Sequence, residues 1–352
     1  MLGGGVFVTQ NKTLPGSYIN FVSVSKASAT LGDRGIVAIA LPLGKSEGTV
    51  ISMTRSEFIQ DANTLTGKNY DSADLLPLRE IFCNANKVYI YDLGTGDTKT
   101  VADVCAALEP YEFNVLCAYT GVASDITAYI TQVKSWRDDM GKKCQIVVYN
   151  ATAPDYEGVI NVVSTIEEAS ADSDPAKAYE LVAWVAGAEA GCEINESCTN
   201  MKYNGELTIV CNKTQSQLES CITSGQIAFH LVYGDICLLE DVNSLITNSA
   251  DKGDDFKSNQ TIRVVDQIAN DIAKLFNTKY LGKIPNNASG RVSLWADIVA
   301  HHRKLEDNQA IENFDPTLLT VVQGETKKSV VITDVITVTN AMAQLYMTVV
   351  VQ

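Results

Sequence analysis

Ser124-Asp125-Ile126-Thr127-Ala128-Tyr129-Ile130-Thr131-Gln132-Val133-Lys134-Ser135-Trp136-Arg137, closed by Gly141 and followed by Cys144-Gln145-Ile146-Val147-Val148-Tyr149, is the stretch from which the fold can be read. Ile126, Tyr129, Ile130, Val133 and Arg137 recur at helical spacing, Ser124 stands where an N-cap belongs, and Gly141 where a helix stops. The run after it is short and apolar, as a buried strand requires. The same alternation extends to both sides. Val88 to Tyr91 reads as a strand, Thr100 to Leu108 as a helix, Phe113 to Tyr119 and Val159 to Val163 as strands, and Pro175 as the opening of a helix that reaches Ala186. Strands separated by helices predict a largely parallel sheet covered on both faces.

Working outward, the character changes twice. Residues 26–86 read as a small, mainly β domain: Gly32-Asp33-Arg34-Gly35 is a turn opening the strand Ile36 to Leu41, and Ser56 to Ala62 and Leu75 to Cys83 are short helices or turns. Residues 87–250 form the α/β domain. After the polar linker Asp251 to Asp255, residues 256–338 read as an α+β domain. One helix carries the stripe Ile262, Val265, Ile268 or Ala269, Ile272 and Leu275 or Phe276. A second carries Val292, Trp295, Ile298 or Val299 and Leu305. Strands follow at Leu318 to Val322 and Val330 to Val338, on either side of a turn at Gly324. The fold class is therefore α/β and α+β multidomain.

The two ends differ from all of this. In residues 1–25, Val6-Phe7-Val8 is a short strand signal behind a glycine run, and Tyr18 to Val22 is a second. In residues 339–352, the odd positions Ala341, Ala343, Leu345, Met347, Val349 and Val351 are all apolar, whereas the even positions are mixed. That is a strand with one fully apolar face. Such a strand either docks in its own sheet or pairs with a sheet supplied by another copy.

Composition removes several classes of function. Of 352 residues, 46% are hydrophobic, enough for two or three cores. A formal net charge of −15 opposes wrapping DNA or lying on an anionic membrane, and suits copies that repel one another until assembly. No basic region followed by a long apolar run marks a signal peptide, and no apolar run approaches a membrane span, so synthesis in the cytoplasm is expected. The nine cysteines show no Cys-x-x-Cys spacing and lie in apolar runs, as reduced buried thiols do; a Cys192–Cys198 bridge is possible but unneeded.

Three candidate chemistries fail on their residues. Gly44-Lys45-Ser46 lacks the earlier glycine of a phosphate loop, since Ile39 stands there. Gly94-Thr95-Gly96 lacks the third glycine of a dinucleotide loop, since Lys99 stands there. Of the three histidines, His230 lies in an apolar strand, and His301 and His302 lie near a helix end with no Gly-x-Ser-x-Gly elbow anywhere. Adjacent helical residues point about 100° apart, which argues against His301 and His302 as joint metal ligands. No catalytic, cofactor-binding or metal-binding residue is expected.

Phe7-Val8-Thr9-Gln10-Asn11-Lys12 with Pro15-Gly16-Ser17-Tyr18-Ile19-Asn20-Phe21, the turn Gly32-Asp33-Arg34-Gly35, the segment Leu181 to Asn200, and the ending Ala341-Met342 through Tyr346 to Val349 and Val351 resemble, in order and spacing, the contractile phage tail sheath family. The loop after Leu181 departs from it, carrying Glu193-Ile194-Asn195 where many members have Pro-Val-Asn. The compact length is most similar to sheaths of PBSX-like prophages and diffocin-like R-type bacteriocins. The resemblance implies a structural, non-enzymatic subunit whose central domain is subtilisin-like in fold and non-catalytic. Its expected partners are other copies of itself in sixfold rings stacked helically, a tail tube protein, and baseplate and tail terminator proteins, with release by lysis. It also implies that the two ends are inter-subunit arms, Val6, Phe7 and Val8 at one end and Leu345, Met347, Val349 and Val351 at the other, adding strands to neighbours' sheets. The alternatives are an α/β enzyme of unknown substrate or another self-assembling tail or tube protein.

Overall fold

The computed structural model describes residues 31–96, 98–164, 166 and 175–351. In chain order the first half comprises β1 (Ile36–Leu41), β2 (Val50–Thr54), α1 (Arg55–Thr66), α2 (Leu76–Phe82), β3 (Lys87–Asp92), α3 (Val101–Leu108), β4 (Val115–Cys117), α4 (Ala123–Asp138), β5 (Gln145–Tyr149), β6 (Val159–Val162), α5 (Leu181–Gly191), α6 (Gln215–Thr223) and β7 (Gln226–Ile227). All seven strands belong to one sheet in the order β2-β3-β1-β4-β5-β6-β7, parallel throughout except for the β2–β3 pair.

Period-two alternation sorts the sheet's side chains. Val37, Ile39 and Leu41 of β1 point with Val88, Ile90, Val115, Cys117 and Val147 into the layer formed by α1, α2 and α5. Ala38, Leu116, Ile146 and Val148 point the other way, onto Val104 and Leu108 of α3 and Ile126, Val133 and Trp136 of α4. Burial on both faces explains why these strands read as near-continuous apolar runs. From Leu181 to Ala190, α5 is buried on every side, as an apolar helix without a polar face must be. It crosses α2 so closely that a Cβ on Gly187 would lie 2.4 Å from the Ile81 carbonyl oxygen.

This topology corrects the expected domain plan. Residues 26–86 are not a separate β domain, because β1 is a central strand of the α/β sheet and β2 is its antiparallel edge. Sequence order misled here: the chain lays β1 in the middle and returns to both sides of it. Two helix starts also differ. Ser124 lies inside α4, whose N-cap is Val122 with no side-chain cap, and Pro175 opens a 3-10 turn (Pro175–Glu180) ahead of α5.

The second half begins with the hairpin β8 (Phe229–Val232) and β9 (Asp235–Leu238). It continues with α7 (Asn259–Leu275), ending in a π turn (Phe276–Tyr280), then α8 (Ala288–Asp307), β10 (Ile311–Glu312), β11 (Thr320–Gln323), β12 (Val330–Thr333) and β13 (Thr337–Val338). β11 and β12 form one antiparallel ribbon, and β10 and β13 another. Ile268, Ile272, Leu275 and Phe276 of α7 pack with Leu294, Trp295, Ile298 and Leu305 of α8 in two small cores. Val292 is 64% exposed, so the α8 stripe runs through Leu294 instead. On its other side α7 buries polar groups: Arg263, Asp266 and Gln267. That helix therefore lies between the sheet body and α8, and it has no solvated face over most of its length.

Candidate interaction surface

The C-terminal extension is the part of the molecule with the least internal explanation. Its root is fixed. The Thr339 N–H donates to the Ala310 carbonyl at 3.0 Å, the Gln260 side chain donates to the Thr339 carbonyl at 3.2 Å, and the Ala341 N–H donates to Gln260 Oε1 at 2.9 Å. Beyond that point, among the described residues, no backbone group of 342–351 hydrogen-bonds to the rest of the chain. Leu345, Met347, Val349 and Val351 are all exposed, from 69% for Val349 to 90% for Val351. Unpaired backbone and exposed β-branched side chains together are what a sheet edge recruits. Val6, Phe7 and Val8 lie outside the described residues.

The β11–β12 ribbon is a second exposed apolar element. Among the described residues it has only its own two strands, and Leu318, Val322, Val331 and Ile332 on and beside it are exposed. A two-stranded ribbon is marginal alone and gains from a third strand.

The places where chemistry was sought are filled by the chain's own groups. At the carboxyl ends of β1 and β3 the amides of Leu43, Gly44, Lys45, Ser46 and Gly94 all donate to the Asp92 carboxylate, at 2.6 to 3.1 Å. The Gly44-Lys45-Ser46 backbone does make an anion nest, and Asp92 from β3 occupies it. Burial alone would raise the Asp92 pKa, but the amide donors outweigh it and hold the group below the ordinary aspartate value.

A second buried cluster joins α5, α7 and the loop after β9. Arg263 Nη2 donates to Glu189 at 2.8 Å and Asp241 at 3.2 Å, and lies 3.7 Å from Cys198 Sγ. Glu189, Cys198 and Asp241 have the ligand types and mutual proximity of a metal site, but the guanidinium already sits among them. Burial and the neighbouring Asp241 push Glu189 well above the carboxylate range. Asp241, despite its own burial, is held down by Arg263. Beside it Arg137 grips Asp266 with two hydrogen bonds of 2.5 and 2.9 Å. Cys192 and Cys198 are free thiols. His230 has a buried Nε2 without a partner, and His301 and His302 face carboxylates; among the described residues no hydroxyl hydrogen-bonds to a histidine. Sequence reading missed these pairings, though Glu189 inside an apolar helix was a visible signal.

The α/β body fills its own amide nest with a carboxylate, and its apolar C-terminal extension is exposed without a backbone partner among the described residues. Residues 95–244 match the model of the phage tail sheath protein central domain, and residues 251–352 match that of the phage tail sheath C-terminal domain. The chain belongs to the contractile tail sheath family. The phage-like element PBSX protein XkdK of Bacillus subtilis is 24% identical over an alignment covering 89% of this chain and 92% of that protein. The crystal structure of a sheath tail protein from Desulfitobacterium hafniense is 25% identical and superimposes with a TM-score of 0.74 over 92% of this chain and all of that one. The helical sheath of the anti-feeding prophage in its contracted state shares the fold at 15% identity, with a TM-score of 0.69 over 97% of this chain and 99% of that one. Sheath proteins are structural, and the described helices include none long and apolar enough to cross a membrane.

Proposed function

We propose that this sheath protein polymerises helically around a tail tube, in stacked sixfold rings, by exchanging its chain ends. Residues Leu345, Met347, Val349 and Val351 of one copy add a strand to a neighbour's β11–β12 ribbon, and Val6, Phe7 and Val8 serve as the second donated strand. The observation that carries this reading is the terminus itself: an alternating apolar strand that starts from a fixed root and makes no ladder with its own body. Each cross-strand pair contributes about 0.2–1 kcal/mol, and apolar burial adds about 25 cal/mol per Å², so one arm holds a neighbour by a few kcal/mol. Backbone-mediated tethers of this kind persist while the bodies rotate as rigid units.

Contraction follows from two packings of one polymer. The extended array is metastable, and each body moves outward into tighter interfaces; the free energy released drives the tube through a target envelope without nucleotide. Baseplate and terminator proteins bound the array, and the particle is assembled in a bacterial cytoplasm and released by lysis. Deleting residues 341–352 tests the central claim. The shortened chain should keep its thermal unfolding profile and form no tubes by electron microscopy. Normal tubes from that deletion would remove the basis of this reading.

A further inference from the structure

His301 and His302 are adjacent on α8 and fully buried, yet their rings do not diverge as their positions on a helix suggest: the two Nδ1 atoms lie 3.3 Å apart. Each Nε2 faces a carboxylate, His301 to Asp271 at 2.9 Å and His302 to Asp334 at 2.6 Å. Asp271 also accepts the Gly32 N–H at 3.0 and 3.2 Å and the Gln267 amide at 2.9 Å. Asp334 lies between β12 and β13, and the β13–β10 pairing is the last ladder before the C-terminal extension. The row Gly32–Asp271–His301–His302–Asp334 therefore runs unbroken from where residues 1–30 join the body to where the extension is rooted.

The proton count follows from donor chemistry. Where Asp271 and Asp334 are ionised they can only accept, so each Nε2 then carries the hydrogen and a neutral ring has a bare Nδ1. Two bare lone pairs 3.3 Å apart repel; one added proton makes the contact an N–H···N bond. We propose that His301 and His302 share one such proton, and that the row is a clasp coupling the roots of the two chain ends. The charged groups packed around it are Asp271 on α7, Arg34 through Gln267 at 3.2 Å, Asp334 on the β12–β13 connection, and the Arg303–Glu306 pair behind the Phe314 ring that covers His302. Removing the shared proton sets two lone pairs face to face, and adding a second sets two N–H groups face to face.

Use of the clasp in assembly rests on the arm exchange proposed above. Its test is made on the unassembled full-length chain, so it succeeds or fails whatever the truncated chain does. Hydrogen exchange is followed in residues 31–36 and 334–341 of the native chain and of Asp334→Asn. Coupling predicts exchange faster by about threefold or more in both segments; faster exchange confined to 334–341 overturns it. Nitrogen-15 spectra of the native imidazoles give a second reading that needs no variant. Two protonated Nε2 atoms and one proton shared by the Nδ1 pair are expected. Two bare Nδ1 atoms would show that no proton bridges the rings.

Discussion

The centre of the sheet and the C-terminal extension are made of the same residue types and meet opposite fates. Ile146-Val147-Val148 lies between helices on both faces, whereas Val349-Val350-Val351 lies in solvent. The difference lies not in propensity but in what the rest of the chain brings. The sheet strand has parallel neighbours on both sides, α5 on one face and α4 on the other, while the extension makes its last hydrogen bond to the body at Ala341 among the described residues. One region is finished by its own chain, and the other is the one proposed to be completed by a second copy.

If that contrast is right, damage to the two regions should register in different experiments. Arg263→Ala should have the largest effect on the isolated chain, because it leaves Asp241 buried without its cation; a loss of about 3–5 kcal/mol is expected by denaturant unfolding. Gly187→Val should cost about 1–3 kcal/mol by pushing α5 off the α2 backbone. Asp92→Asn should cost a similar or smaller amount, about 1–3 kcal/mol, by weakening the acceptor of five amides. Its pH signature is specific. The folded carboxyl is held below its unfolded value near 3.9, so its stabilisation is complete above that value and disappears as pH falls through the folded one. The native chain should therefore show a component of acid sensitivity that Asp92→Asn lacks. Met347→Asp should change chain stability by less than about 0.5 kcal/mol, yet it should prevent tubes from forming. A Met347→Asp chain that assembles normally, or one that unfolds readily, would erase the distinction between a finished and an unfinished region.

How much of this was legible depends on the range of the interactions involved. The parallel sheet was legible because each βαβ unit is local, and because burial on both faces writes continuous apolar runs such as Val115-Leu116-Cys117. The extension's one-sided pattern was legible for the same reason: side-chain alternation is a property of the strand alone. The place of β1 was not, since nothing in Ile36 to Leu41 says that β3 will pair on one side and β4 on the other. Neither were the buried polar contacts. Asp92 meets the Gly44 loop across 48 residues of sequence, and Arg263 meets Glu189 across 74.

Sequence alone determined the α/β alternation, the absence of the phosphate-loop and dinucleotide fingerprints, and the apolar face of the final strand, because all three depend on neighbours along the chain. Tertiary structure alone decided that β1 is central, that Asp92 fills the amide nest, that Arg263 sits among three would-be ligands, and that the C-terminal extension has no backbone partner among the described residues. Each of those outcomes depends on groups brought together from distant positions, where geometry, not composition, decides which charges are paired and which backbone is left open.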